Sequence, residues 1–174
     1  LIVSAVNSAT CQSSPDTLGY AHPCGYDQFD RPIIGMINFC PEIMKTASDT
    51  VALTTAKHEI AHALGFTSER FAYMRWPDTM TPRTPRVSGV PEHANKLCAD
   101  GNSRSKISPG ASTLWGPGFV RNFPRAFKLV TPNLAKAARE HFDCPTETGV
   151  ELENQPTGST ASCWGSHFEQ RTHH

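Results

Sequence analysis

Two histidines four residues apart, the first followed directly by a glutamate, constrain this chain more than any other feature: His58-Glu59-Ile60-Ala61-His62. Residues four apart project from one face of an α-helix, so the two imidazoles can share a metal ion if this stretch is helical. Glu59 then sits about 100° around the helix from His58, where its carboxylate can reach a water on the metal without becoming a ligand. The flanks predict a helix over 49–65. Ser48 or Asp49 can cap it, Gly65 stops it, and Leu53, Ala56, Ile60 and Leu64 recur at helical spacing as a buried face. The histidines fall on a different stripe, suited to a cleft. A chance match on an ordinary amphipathic helix is the bland alternative, and cap, stripe, stop and glutamate agree against it. The motif points to a zinc hydrolase.

With 174 residues, 38% of them hydrophobic, the chain can build a real core, and one folded unit is expected. Sixteen Lys and Arg balance sixteen Asp and Glu without a basic block, so neither nucleic acid nor an anionic membrane surface is implied as a partner. The longest apolar stretches, 1–6 and 33–39, are too short to span a bilayer, and no charged leader precedes an apolar signal core. The opening Leu1-Ile2-Val3 resembles the interior of a strand, so the chain reads as a fragment or a processed form. Six cysteines, at 11, 24, 40, 98, 144 and 163, form no CxxC pair, which disfavours a cysteine metal site and favours disulfides in an oxidising, secretory or cell-surface setting.

Residues 1–6 and 33–39 are rich in β-branched side chains and read as strands, with 17–21 a weaker third. From 66 to about 129, prolines at 77, 82, 85, 91, 109, 117 and 124 deny any long helix or strand, so a long irregular insertion is expected over 66–130. Thr131-Pro132 then gives an N-cap with proline in the first turn, and Leu134, Ala138 and Phe142 supply the stripe of a second helix ending near Cys144. The expected organisation is a single catalytic-domain fragment over 1–174: sheet and motif helix to 65, insertion to 130, then a helix and a partial C-terminal part.

A catalytic zinc needs three protein ligands and an open position, so the motif alone is incomplete. In the commonest compact arrangement a histidine follows six residues after the second His; here that position is Ser68. The remaining candidates are Glu69, Glu92, His93, His141, His167, His173 and His174. His141 reads as a packed or surface histidine beside Phe142, Glu69 and Glu92 sit in polar stretches where acids are usually solvated, and His22 reads as a turn residue before Pro23. His167 is modestly favoured because Gly165 and Ser166 would let the backbone approach a helix.

The segments 30–41 (DRPIIGMINFCP), 57–66 (KHEIAHALGF), 138–145 (AREHFDCP), 149–155 (GVELENQ) and 165–171 (GSHFEQR), in this order, resemble the leishmanolysin (M8) metallopeptidases, which are metzincins. The resemblance implies that His58, His62 and His167 are the zinc ligands, with His167 delivered after an insertion. It also implies an α+β metzincin-like zincin: a twisted mixed sheet, mostly parallel, with the active-site helix beneath it and residues 18–22 as an antiparallel edge strand. A peptide substrate could add to that edge as a further strand. The family's methionine turn follows the third-ligand segment and is not reached before His174; none of Met36, Met44, Met74 or Met80 is placed to replace it. Cys144 is implied to pair with a cysteine further downstream. A cell-surface or extracellular location follows from the same likeness, together with a role in cell adhesion and room for a membrane anchor outside this chain; no oligomeric state is indicated.

The expected chemistry is zinc-dependent endopeptidase hydrolysis of protein or peptide substrates, with Glu59 as general base and Zn2+ as cofactor. Two other classes stand beside it: a non-catalytic surface or structural protein retaining the fold, and a non-metzincin hydrolase with Glu69 or Glu92 as final ligand. A serine or cysteine nucleophile is disfavoured, since no GxSxG elbow occurs and the cysteines read as bridged.

Overall fold

Isoleucines at 33, 34 and 37 set the middle strand of the first half of the chain, because β-branched side chains suit a pleated surface better than a helix. The computed structural model describes residues 1–14, 16–98, 100–120, 123–154 and 163–169. The chain forms two compact units, Leu1–Phe66 and Thr67–His174. His173 and His174, with Gln155, Gln170 and Arg171 of the segments quoted above, lie outside the described residues. Helices and mixed sheet together make an α+β architecture.

The first unit runs β1 (Ile2–Ser4), α1 (Ala9–Ser13), β2 (Gly19–Tyr26), β3 (Pro32–Phe39), α2 (Pro41–Met44) and α3 (Asp49–Ala63). Its sheet has the order β1-β3-β2, with β1 parallel to β3 and β2 antiparallel, Ile2 facing Met36 and Gly19 facing Phe39. Buried Asn38 extends the short parallel pairing: its Oδ1 accepts from Ser4 Oγ at 2.8 Å and Val6 N at 3.1 Å, and its Nδ2 donates to Val6 O at 3.0 Å. These bonds give Val6 the partners that a ladder would have supplied. A Cys11–Cys40 disulfide ties α1 to the end of β3.

The motif helix forms as expected, and both of its ends are defined by named bonds. Ser48 Oγ accepts from Val51 N at the start. At the finish Phe66 N donates to Ala61 O and Gly65 N to His62 O, the paired bonds of a Schellman ending, with Gly65 at φ +97°. The expected buried face is not observed. Leu53 and Leu64 are 58% and 62% exposed and Ile60 is also exposed, while the buried residues of α3 are Glu59, His62 and Ala63. The reason lies in the sheet. A Cβ on Gly35 would meet Ala63 O at 2.8 Å and Ala63 Cβ at 2.9 Å, and a Cβ on Gly19 would meet Glu59 Cγ at 3.3 Å. Backbones this close accept only small neighbours, so α3 is seated through its small and polar stripe and its wide aliphatic stripe faces away.

In the second unit a 3-10 turn (Phe71–Tyr73) precedes β4 (Arg86–Val87), β5 (Val90–Pro91), β6 (His93–Leu97), β7 (Ser103–Ile107), β8 (Leu114–Val120), β9 (Phe123–Leu129), α4 (Pro132–His141) and β10 (Val150–Glu151). The segment 66–130 is therefore not irregular. It holds three antiparallel hairpins, β4–β5, β6–β7 and β8–β9, and β10 adds to β9 as a third strand. The prolines are accommodated by position: Pro85 directly precedes β4, Pro91 ends a two-residue strand, Pro109 lies between β7 and β8, and Pro117 falls within a register shift of β8. Proline blocks continuous ladders more than it blocks short hairpins.

Helix α4 starts at Pro132 and buries Ala135 and Ala138, whereas Phe142 at its end is exposed. Phe71, Phe127, Leu129, Leu152 and Trp164 are fully buried, with the Phe127 and Trp164 rings 4.8 Å apart between centroids. At the tip of β6–β7, Asp100 accepts from both terminal nitrogens of Arg104 and from Asn102 N, and these bonds hold its carboxyl well below the usual carboxylate range against the opposing effect of burial. A second disulfide, Cys98–Cys163, links that hairpin to the strand-like segment carrying Trp164; Cys24 and Cys144 are unpaired within this chain. Among the described residues, no helix is long and apolar enough to cross a membrane.

Two stability outcomes follow from this packing. Gly35→Ala should destabilise the first unit by about 1–3 kcal/mol, because Ala63 backbone must move; a thermal melt showing no change would contradict the tight seat. Replacing Cys98 and Cys163 together with serine should lower the free energy of unfolding by about 4 kcal/mol, since the bridge closes a 65-residue separation, and a denaturant titration measures it.

Candidate metal centre

Helical spacing carries His58 and His62 to the same side of α3, and the structure brings their ring nitrogens together. His62 Nδ1 lies 2.7 Å from the carbonyl oxygen of Phe66, the residue the Schellman turn places one step past Gly65. A carbonyl only accepts, so Nδ1 carries the proton and Nε2 carries the lone pair. That Nε2 is 3.0 Å from Nε2 of His58, and the rings meet edge-on at 87° with centroids 4.6 Å apart. Two ring nitrogens this close repel unless a cation or a shared proton lies between them. Adjacent ligands on a tetrahedral zinc with bonds of about 2.0–2.1 Å are separated by roughly 3.3 Å. The donor set and its spacing thus fit a zinc ion; His62 is buried and His58 exposed, leaving one side of the pair open.

Glu59 is only 5% exposed and rises from the buried face of α3 over Gly19 of β2. It lies between the two histidines in sequence but on a different helical stripe, as its proposed role requires.

His167 belongs to the second unit. The run 165–169 pairs with 151–153 as a short antiparallel ladder: Glu169 N donates to Glu151 O, Glu153 N to His167 O, and Gly165 N to Glu153 O, with a bridge between Leu152 and Phe168. Within this ladder His167 Nδ1 lies 2.7 Å from Glu153 Oε1. The hydrogen bond with His167 holds the Glu153 carboxyl below the ordinary glutamate value, against burial, which pushes it up. Ser166 Oγ accepts from Ser68 N at 2.9 Å, so the position where a compact motif would place histidine instead braces the segment that carries His167.

The other candidates are placed elsewhere. Glu69 accepts from Ser68 Oγ and is exposed; exposed Glu92 precedes β6, which His93 opens with its Nδ1 near Ser105 Oγ; His141 ends α4 edge-on to Phe142; His22 is exposed on β2. The sequence reading missed Glu153 and the Phe66 carbonyl. The first was within reach, because a ligating histidine needs an acceptor for its second nitrogen and GVELENQ supplies carboxylates. A backbone carbonyl has no sequence signature.

A helix bearing paired imidazoles, a buried glutamate between them and a carboxylate-held histidine on a separate ladder define a metallopeptidase-like chain. Comparison with known proteins gives the family. The leishmanolysin family model matches residues 3–174. The chain is 35% identical to a leishmanolysin-like peptidase of Caenorhabditis briggsae over 99% of its own length and 26% of the relative's. It is 37% identical to that of Drosophila pseudoobscura pseudoobscura over 89% and 23%, and 27% identical to a mouse ciliated left-right organizer metallopeptidase over 98% and 21%. This chain belongs to the leishmanolysin (M8) metallopeptidase family. It spans about a quarter of the length of the curated relatives it matches.

Proposed function

We propose that the chain is the zinc-binding part of an endopeptidase catalytic domain with a metzincin-type fold, in which His58, His62 and His167 hold the ion and Glu59 is the general base. The observation that carries this reading is the pair of Nε2 atoms 3.0 Å apart on α3, one of them fixed in its tautomer by Phe66 O. Family membership and the 27% to 37% identity to proteins named peptidases support it. Zinc held by neutral imidazoles would supply an acidified water and polarise a peptide carbonyl.

The chain's own residues do the rest. Glu59 takes the proton from the attacking water and hands it to the leaving amine, so no covalent intermediate forms. Its burial over Gly19 keeps the carboxylate out of bulk solvent. Strand β2 lies at one edge of the three-stranded sheet, and its outer side offers backbone groups to an extended peptide, giving affinity from main-chain bonds. Protein or peptide chains are the substrates. Two disulfides support a secretory or cell-surface setting. The whole of 1–174 acts as one part of that catalytic domain.

In the full-length protein, Glu59→Gln should lower kcat/KM for a peptide about 10²- to 10⁴-fold while zinc content stays unchanged. Unchanged cleavage would remove Glu59 as the base, loss of zinc would make Glu59 a ligand, and absence of cleavage by the wild-type protein itself would favour a scaffold protein. Protonation of an imidazole removes the lone pair a metal needs, so binding is complete above the histidine range and lost as pH falls through it, at about 6.5 for an unperturbed ring. Zinc content and peptidase activity should therefore fall together between about pH 6 and 5. Full retention of both near pH 4 would refute three imidazole ligands.

A further inference from the structure

The ladder that carries His167 contains a carboxylate with no role in the hydrolysis described above. Glu153 Oε1 accepts from Ser166 N at 3.1 Å and lies 2.7 Å from His167 Nδ1. The backbone of the same residue brackets the histidine, with Glu153 N donating to His167 O at 2.9 Å and Glu153 O accepting from Gly165 N at 2.8 Å. Four bonds therefore lock Glu153 against residues 165–167, and the side chain cannot turn away without losing two of them. Gly165 is part of the device: a Cβ there would lie 2.0 Å from Glu153 Oε1 and 2.4 Å from its Cγ. The absent side chain is the space the carboxylate fills.

We propose that Glu153 is the positioning residue of His167, its carboxylate holding the imidazole as the Nδ1–H tautomer so that Nε2 is the ring's metal-donor atom. This rests on the assignment of His167 as a zinc ligand. An ionised carboxylate accepts only, so the proton between the two groups sits on Nδ1, the lone pair is confined to Nε2, and the ring plane is fixed by a charge-assisted bond. The negative charge also makes the imidazole a stronger donor. His62 reaches the same tautomer through the Phe66 carbonyl, so the two histidines are set by different acceptors, one backbone and one carboxylate.

The test uses full-length protein with Glu153→Ala, Glu153→Gln and His167→Ala. Zinc affinity is read by competition against a chromogenic chelator, and the His167 tautomer of the metal-free protein by long-range nitrogen–proton NMR of labelled histidine. Glu153→Ala should weaken zinc binding about 10- to 100-fold and move the metal-free ring toward the Nε2–H tautomer. Glu153→Gln keeps an acceptor without the charge and should fall between wild type and Ala. Wild-type affinity and tautomer in both variants would overturn the proposal; if the Ala variant does not fold, the Gln variant decides, with weakened affinity supporting it and wild-type affinity sinking it. His167→Ala separates the underlying assignment: zinc retained there removes His167 as a ligand, whereas zinc lost there but unchanged in the Glu153 variants removes only the positioning role.

Discussion

The close approach of α3 to its sheet is the constraint on which the rest of the first unit depends. Gly35 and Gly19 remove two side chains at the points where Ala63 and Glu59 come down, and the helix settles at a depth that no residue with a Cβ would allow without movement. That depth buries Glu59 and His62 and leaves His58 exposed. Packing therefore does more than stabilise the helix: it assigns the glutamate to the interior and one imidazole to the open side. The aliphatic stripe, which a count of hydrophobic spacing favours as the core face, is left outside as a result.

The legible and illegible parts of this chain divide along physical lines. Local chemistry was readable: the Ser48 cap, the Gly65 stop, the proline start of α4 and the β-branched strand at 33–39 each act within a few residues of themselves. Which of two helical stripes meets the sheet was not, because that choice rests on Gly19 and Gly35, which are remote in sequence and carry no hydrophobic signal. Proline spacing between 66 and 129 suggests irregular chain, yet short strands of two to seven residues form there, with Pro91, Pro117 and Pro124 at strand ends or beside register shifts. Among the proposed site residues, His58, Glu59 and His62 stand out from their spacing alone; His167 needs the resemblance of its surrounding segment, and Glu153 emerges only from the ladder that pairs 151–153 with 165–169.

The second unit solves a different problem from the first. It presents a histidine from a short ladder instead of from a helix, and a two-stranded pairing is weak on its own. Its strength comes from around it: β9 continues the pairing through β10, Trp164 packs on Phe127, and the Cys98–Cys163 bridge ends one residue before that tryptophan. Lys106 reinforces the same point, donating to Trp164 O at 3.0 Å and lying over its ring. Covalent, aromatic and cationic contacts converge immediately ahead of Gly165, where Glu153 leaves no room for a side chain.

One consequence concerns the way α3 ends. The left-handed residue at 65 swings the chain so that the Phe66 carbonyl points back at an imidazole one turn earlier, and the same swing supplies the closing bonds of the helix. Punctuation of the helix and aim of the ring are thus a single degree of freedom. A substitution that simply let the spiral run on for another turn would carry that carbonyl off into the helical ladder, and His62 would lose its tautomer although no atom of the motif itself had been altered.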